Sequence, residues 1–428
     1  MSLGEEDAAA FMLLASWMLL RRDDEDPMFQ ALRLADFNQA ADFLDGTGRT
    51  GRSLPHAERW WEKTGRNLSN AQFKTAFRCR KTTLAELVRK LYGTTGMCRG
   101  GTRGPQFDPC ERVAIFMYRV GSDQPVRHTA LQFGLSEGTV SQVTREVALL
   151  VEEHLKAECV RWPSLAEQRT MAETWELEKG LRNVVGAIDG SHIATLAPPS
   201  ALQQSYYNYK GWYSISLLAI VDQQGMFRWF CSGQPGACGD ICVLKDTDFF
   251  ARVEAEQENP AESRQFLYDG ACILGDSAFA ESTWMRTPIA KPSTRAQRFF
   301  NFKHSSQRFR VEHAFGRLKK KFPMLAKGLD CHLDHCSTIL NACVVLHNFI
   351  FLREGRSPID EGIDHSQTKN GTGHAAAGAG PADSARAREV EYLAERFMLD
   401  VWGAPGSRAD RARLEDERRM RGENGTSF

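Results

Sequence analysis

The feature that most constrains the fold is a change in hydrophobic spacing near residue 183. Upstream of it, apolar residues recur at helical spacing, whereas residues 184–188 (Val-Val-Gly-Ala-Ile) form a short continuous apolar run. Three further runs have the length and turn-forming flanks of strands, at residues 213–221, 226–231 and 271–274. The second and third runs predict a hairpin, and helical patterns alternate with the strands. The sequence therefore predicts a mixed α/β domain over residues 183–352.

Four acids are placed for metal-assisted chemistry on this framework. Asp189 and Asp276 each follow an apolar strand and adjoin a glycine, Asp240 follows a turn, and Glu312 lies on a predicted helix. Side chains at strand ends project into the crevice where ligands bind, so the acids meet if the strands are neighbours. Carboxylate oxygens suit Mg²⁺ or Mn²⁺, and two such ions can cleave a phosphodiester. Asp240 has a second interpretation, as the N-cap of the helix that follows it.

Glu312 lies within a strongly basic segment. The whole chain has 54 Lys and Arg against 54 Asp and Glu, so its total charge does not indicate a polyanion partner. Between residues 298 and 321, however, eight Lys or Arg accompany this single acid. That local excess favours a phosphate-binding surface. The residues that we predict to contact DNA here, together with one upstream of the segment, are Lys210, Lys303, Arg308, Arg310, Arg317, Lys319 and Lys320. The terminal lysines have an alternative explanation as a solvated helix end.

A helix-turn-helix pattern precedes the α/β domain. Residues 129–133 and 137–145 have helical spacing and are separated by Gly134 and the potential cap Ser136. In such a motif the start of the second helix reads base edges in the DNA major groove. The predicted base-contacting residues are Thr139, Ser141, Gln142 and Arg145. An ordinary helical pair gives the same pattern, so both interpretations stay open.

The length of 428 residues accommodates several regions. We predict an N-terminal helical region (1–106), an all-α helix-turn-helix region (107–157), a connector (158–182), the catalytic domain (183–352) and a largely disordered tail (353–428). Eleven cysteines without paired spacing suit a reducing compartment. The Cys and His residues at 331–336 are too crowded for a standard zinc finger, which favours a loop. No apolar run reaches the roughly 18 residues that a membrane span needs, so no membrane partner is expected.

A series of ordered motifs resembles the PIF/Harbinger-type DDE transposases. The matching segments are residues 188–193 (Ile-Asp-Gly-Ser-His-Ile), 208–214, 233–240, 274–279, 287–288, 300–305, 310–319 and 346–348. Many separate blocks agree in order, and the helix-turn-helix pattern lies where that family has one. Ser191 stands where the family usually has Thr, and Cys238-Gly239 before Asp240 is also atypical.

The resemblance implies a ribonuclease-H-like catalytic fold, with Asp189, Asp276 and Glu312 as the catalytic triad and Asp240 as a further metal ligand or a cap. It implies cleavage and joining of double-stranded DNA at terminal inverted repeats with Mg²⁺ or Mn²⁺. It also implies a Myb-like accessory DNA-binding protein, a nuclear location with a cytoplasmic pool and a possible homo-oligomer. Two alternatives stay open: a domesticated, non-catalytic DNA-binding regulator, and a hydrolase of small phosphate esters.

Overall fold

The structure is a computed structural model that describes residues 60–93, 107–258, 265–355, 381–396 and 398. The predicted helices before residue 45, the linker at 46–54 and most of the basic Gly-rich loop at 93–105 lie outside the described residues.

Helices alone make up the described chain before residue 183. They are α1 (Trp60–Lys63), α2 (Asn70–Phe77), α3 (Lys81–Tyr92), α4 (Pro109–Val120), α5 (Val126–Phe133), α6 (Glu137–Cys159) and α7 (Leu165–Lys179). Aromatic side chains form much of their core: the Phe77 ring lies 4.5 Å from Phe73 and 5.6 Å from Trp61, measured between centroids. Asp108 caps α4 by accepting a hydrogen bond from the Glu111 amide, and Pro109 occupies a first-turn position that needs no amide donor.

The pair α5 and α6 has the turn chemistry that the sequence predicts. Gly134 ends α5 in the left-handed region (φ +67°), where a side chain would be strained. Ser136 then caps α6, because its hydroxyl accepts a hydrogen bond from the Thr139 amide at 3.1 Å. The helix α6 runs on to Cys159 and packs along the most apolar helix of the protein, α13 (Leu333–Glu354). One face of α6 is therefore buried, and the other is left to solvent.

One five-stranded mixed sheet forms the centre of the second half of the chain. Its strands are β1 (Val184–Ala194), β2 (Ser214–Val221), β3 (Phe227–Pro235), β4 (Cys272–Leu274) and β5 (Met285–Arg286), in the order β3-β2-β1-β4-β5. The pairs β1/β2 and β2/β3 are antiparallel, which confirms the hairpin, whereas β1/β4 and β4/β5 are parallel. The predicted strands all exist, but β1 extends six residues past its predicted end at Ile188. The reason is cross-strand pairing with β2, which continues as far as Ala194.

Helices cover both faces of this sheet. They are α8 (Gln203–Tyr206), α9 (Asp240–Lys245), α10 (Asp248–Glu258), α11 (Arg295–Lys321), α12 (Pro323–Lys327) and α13. The helix predicted from residue 308 begins thirteen residues earlier, where Thr294 and Gln297 form a capping box. The helix α13 is long and apolar enough to cross a membrane, but 67% of its apolar window is buried inside the protein, as in a core helix.

Two regions are more ordered than their composition suggests. The charged connector is largely helix α7, which starts with a capping box between Ser164 and Glu167 and buries Trp175 against the domain. Its many charges hid a narrow apolar stripe. In the predicted disordered tail, residues 381–396 form helix α14 (Pro381–Arg396), which packs on α11. There Leu393 is fully buried, and Glu389 accepts hydrogen bonds from the Arg182 amide and guanidinium.

Candidate active site

The site is built on β1, whose side chains alternate between the two faces of the sheet. Asp189 faces α11, and its carboxylate accepts a hydrogen bond from Arg308 Nη1 at 2.9 Å. The other nitrogen of the same guanidinium, Nη2, donates to Glu312 Oε1 at 2.5 Å. Arg308 and Glu312 are four residues apart on α11, so they share one face of that helix. The structure thus brings two acids of the predicted triad to either side of one guanidinium.

Asp189 is a carboxylate under electrostatic strain. Its side chain is only 18% exposed, and the loss of water raises its pKa to about 7, against the opposing effect of Arg308. The nearby charges of Asp276 and Glu312 contribute to this rise in the pKa. A hydrogen bond from the Gly190 amide to Asp189 Oδ1 fixes the carboxylate at 2.9 Å. This is the pattern of a site that gains stability when it binds additional positive charge.

Asp240 approaches β1 from the other face of the sheet. A side chain on Gly190 would lie within 2.3 Å of the Asp240 carboxylate, so only glycine leaves room for it. The N-cap of α9 is Gly239, and it receives no side-chain hydrogen bond. The interpretation of Asp240 as a helix N-cap is therefore wrong. Burial and, to a smaller extent, the charge of Asp276 together raise the pKa of Asp240 to about 6.

Asp276 follows the C-terminal end of β4, which lies beside β1 in parallel. Its Oδ1 accepts a hydrogen bond from the Ala278 amide at 2.9 Å, so the acid also forms the turn after the strand. Its charge acts on both Asp189 and Asp240. Asp276 therefore lies electrostatically between the acid on the α11 side of β1 and the acid on the Gly190 side.

The donors of this site are carboxylate oxygens, which suit a hard divalent cation. Burial first, and the charge of neighbouring acids second, raise the pKa values of Asp189 and Asp240. The Arg308 guanidinium lies between Asp189 and Glu312 and balances part of their charge. The chemistry of the donor set therefore fits Mg²⁺ or Mn²⁺. As the side chains are placed, no three His, Cys, Asp or Glu of the described ranges are grouped closely enough to hold a metal ion.

Lys319 extends the site along β1. Its ammonium donates to Ser191 Oγ at 2.9 Å and to the His192 carbonyl at 3.1 Å. Burial and, to a smaller extent, the charge of Lys210 together lower the pKa of Lys319 to about 8. Two lysines from different elements thus converge two to three residues beyond Asp189. The Ser191 hydroxyl was not singled out from the sequence, because its role depends on a contact across 128 positions.

The other predicted DNA contacts divide into two groups. Arg310 donates to the Gln223 carbonyl and pairs with Glu178 at 2.5 Å, and Arg317 donates to the Gln224 carbonyl at 3.3 Å. Both therefore hold the β2–β3 turn, on a different face of α11 from Glu312. Lys303 lies over the Phe299 ring, whereas Lys320 is exposed. On α6, Thr139 is half-buried, and the other three predicted readers are exposed: Ser141, Gln142 and Arg145.

The Cys and His segment at 331–336 is a loop only at Cys331 and His332, because His335 and Cys336 already lie in the first turn of α13. His332 is the N-cap residue of that helix, and Cys331 Sγ and Cys336 Sγ lie 3.5 Å apart. His192 is also held by the protein, since its Nδ1 lies 3.1 Å from Ser214 Oγ.

Comparison with known proteins agrees with this geometry. Residues 188–348 match the DDE superfamily endonuclease family. "Protein ALP1-like" of Arabidopsis thaliana is 27% identical over 333 residues, which are 73% of this chain and 79% of that protein. "Putative nuclease HARBI1" of Homo sapiens is 29% identical over 239 residues, 55% of this chain and 64% of the human protein. The match thus spans just under two thirds of the human relative. No solved structure matches the chain.

Residues 188–348 are therefore similar to the endonucleases of the DDE superfamily. More narrowly, the chain is a relative of the Harbinger-derived nucleases, which confirms the resemblance seen in its motifs. These relatives support a nuclease-like or transposase-like function, and endonucleases of this superfamily generally use divalent metal ions.

The raised pKa of Asp240 predicts an unusual pH dependence of stability. The ordinary value is 3.8, so between about pH 4 and 6 the folded protein keeps a proton that the unfolded chain has lost. The free energy of unfolding then falls as the pH rises through this window, by about 1–3 kcal/mol, and stays lower above it. Asp240→Asn removes this loss, so its stability advantage over the wild type grows from pH 4 to 6 and then levels off.

Urea unfolding in EDTA at a series of pH values measures this difference. Asp246→Asn, which changes an exposed acid near the end of α9, is the matched control and follows the wild type. Stability curves of wild type and Asp240→Asn that run parallel from pH 4 to 8 contradict the assignment.

Proposed function

We propose that this protein is a metal-dependent DNA endonuclease of the transposase type, with Asp189, Asp276 and Glu312 as its catalytic acids. The observation that carries the proposal is the set of partly buried, mutually repelling carboxylates around the middle of β1, inside the region that matches the DDE superfamily endonuclease family. We also propose a ribonuclease-H-like fold. Its support is the position of the three acids on the first strand, after the fourth strand, and on the helix that follows the fifth.

Asp189, Asp240 and Asp276 are the residues that would hold Mg²⁺ or Mn²⁺, with Glu312 as a further ligand. The chemistry that a divalent ion supplies when bound is activation of a water or 3′-hydroxyl and stabilisation of the leaving oxygen. Asp240 places a second carboxylate beside the glycine that follows Asp189. The protein thereby presents acids on both faces of a single strand.

The side chains around the acids bind and orient the DNA strand. Lys319 and Lys210 supply positive charge next to Ser191 and His192, where a phosphate that enters the site is neutralised. Arg308 holds Asp189 and Glu312 in place before the substrate arrives. A small phosphate ester would not use a surface of this length, so a polyanionic strand fits better.

The helical region supplies double-stranded DNA binding in this proposal. The exposed residues Ser141, Gln142 and Arg145 lie in the first turns of α6, where a helix-turn-helix presents its base-reading side chains. Terminal inverted repeats and target DNA are the proposed substrates, in the nucleus. A Myb-like accessory protein and a homo-oligomer remain proposals taken from the resemblance.

Asp189→Asn is expected to abolish strand cleavage. The amide is nearly the same size but removes the negative charge, so the rate falls at least about 100-fold, as expected for the loss of several kcal/mol of charge stabilisation. The assay is nicking of DNA that carries the element's terminal repeats, with and without Mn²⁺. Asp246→Asn is the control with unchanged activity. Equal cleavage by wild type and Asp189→Asn rejects the catalytic assignment.

Arg145→Ala is expected to weaken DNA binding through the helix-turn-helix. If this side chain contacts a phosphate, affinity falls for all DNA sequences, and the slope of log K against log salt decreases in magnitude by about 1. If it contacts a base, the variant loses about 1–3 kcal/mol of binding free energy and its sequence preference at that one position. Fluorescence anisotropy with duplex DNA at 50–200 mM salt measures both quantities. Arg89→Ala, an exposed arginine on α3, is the control. An unchanged affinity for Arg145→Ala favours the ordinary helical pair.

One observation favours a second candidate, the non-catalytic DNA-binding regulator. The Arg308 guanidinium lies between Asp189 and Glu312, so it already balances the charge that a metal ion would balance. In an enzyme, Arg308 gives up at least one of these contacts when a cation binds. In a regulator, it stays in place as a permanent internal cation.

Mn²⁺ binding, followed by electron paramagnetic resonance, separates the two candidates. For an enzyme we expect the wild type to bind Mn²⁺, and Arg308→Ala to bind it about 10-fold more tightly because no guanidinium competes; an ion pair of this kind contributes at most a few kcal/mol. Arg308→Lys, which keeps the charge, is the matched control. A wild type that binds no Mn²⁺ beside an Arg308→Ala variant that does supports the regulator.

A further inference from the structure

A cluster of aromatic rings lies on the face of β1 opposite Asp189. His192 follows Gly190 by two residues, so both point to the face from which Asp240 approaches. The His192 ring contacts Trp212 and Tyr209 edge-on, with centroids 5.9 and 5.7 Å away. Gly190 and His192 are about 7 Å apart along the strand. The aromatic cluster is therefore a direct neighbour of the proposed acidic site.

Tyr209 is the outermost ring of this cluster and is 84% exposed. It is nevertheless carried by a well-defined turn. Buried Asn208 closes the turn, because its Oδ1 accepts hydrogen bonds from the amides of Lys210 and Trp212 at 2.9 and 3.4 Å. Gly211 supplies the positive φ of +89°. The protein thus builds a rigid support that presents a large aromatic ring to solvent, although burial would stabilise that ring.

Positive charge surrounds the rings. The Lys210 ammonium lies 5.4 Å from the centre of the Tyr209 ring. Lys319 reaches the same strand from α11 and donates to the His192 carbonyl at 3.1 Å. Burial, together with the charges of Lys210 and Lys319, lowers the pKa of His192 to about 4. The His192 ring is therefore neutral at physiological pH. A neutral aromatic surface between two cations matches a nucleotide, which has a flat base and an anionic phosphate.

We propose that Tyr209, backed by Trp212 and His192, is a stacking site for one unpaired base of the DNA strand that enters the active site, with Lys210 and Lys319 on the adjoining phosphates. The inference rests on the proposed function, because it describes how that site receives its strand. A base inside a duplex cannot stack on the ring face, since its neighbours cover both of its faces. The site therefore selects frayed or single-stranded DNA over intact duplex next to the acids.

Binding of two DNA probes tests the proposal without any metal or cleavage. One probe is a labelled 20-base-pair hairpin with an unpaired five-nucleotide tail, and the other is the same hairpin with a blunt end. In EDTA, Tyr209→Ala is expected to weaken binding of the tailed hairpin roughly 5- to 150-fold, as for loss of stacking with one base. The affinity for the blunt hairpin stays within about 2-fold. Tyr209→Phe and Tyr209→Trp keep the wild-type affinity for both.

Tyr207→Ala is the matched control. Tyr207 is half exposed on the same loop, but its ring packs edge-on against Tyr213, and its removal leaves the preference for the tail unchanged. A 2-aminopurine in the first unpaired position gives a direct readout: its fluorescence is quenched on binding wild type and Tyr209→Phe, but not on binding Tyr209→Ala. The melting temperature of each variant verifies that the fold is intact.

Several results overturn the stacking site. They are no effect of Tyr209→Ala on the tailed hairpin, an equal loss for both hairpins, or a wild type that binds neither DNA. The first two, found alongside Asp189-dependent cleavage, remove the stacking site and leave the proposed nuclease standing. If Asp189→Asn cleaves DNA as well as the wild type while the preference for the tailed hairpin is intact, the proposed catalytic site falls and the stacking site stands. If Tyr209 instead binds a protein partner, Tyr209→Ala has no effect on binding of the tailed hairpin.

Discussion

The structure of the site depends on how buried negative charge is balanced at the middle of β1. Asp189 has lost most of its contact with water, and its charge is opposed by that of Asp276 and Glu312. A single guanidinium, that of Arg308, bridges Asp189 and Glu312 and offsets part of this cost. Without a cation there, the acids would take up protons or move apart. In the proposed enzyme, the same imbalance favours the binding of a divalent ion.

Helix α11 distributes the cations according to the helical period. Arg308, Glu312 and Lys319 fall on one stripe that faces β1, whereas Arg310 and Arg317, seven residues apart, fall on another that holds the β2–β3 turn. One helix thus anchors the sheet and completes the site. Its basic composition, which looks uniform in the sequence, serves two separate purposes.

Gly190 separates the two halves of the site in a similar way. Its missing side chain admits the Asp240 carboxylate, and the flanking residues Asp189 and Ser191 face α11. Asp189 on one face of the strand and the aromatic ring of His192 on the other are therefore only three residues apart along β1. The proposed strand path, from Tyr209 past Lys210 to the acids, follows from this alternation.

Much of the catalytic half was predictable because its signals are local. Apolar strands, the hairpin turn and the helix-start residues act within a few positions, and Asp276 next to a glycine marked the end of β4, whereas Asp189 lies in the middle of β1. The capping box of α7 is equally local, but its charged surface concealed a stripe that only Trp175 and few others bury. The extent of helix α14 is not set by local signals alone, because its stability comes from packing on α11 and from the contact between Glu389 and Arg182, which are 207 positions apart.

The sequence by itself determined which residues are available for the proposed chemistry: four acids, the basic helix and the strands that present them. Only the tertiary structure decided how they are paired. It placed Arg308 between Asp189 and Glu312, turned Arg310 and Arg317 away from them, and showed that Asp240 packs on Gly190 and does not cap its helix. The physical reason is that residue type and spacing set a side chain's face and charge, whereas its partner depends on which distant element packs there.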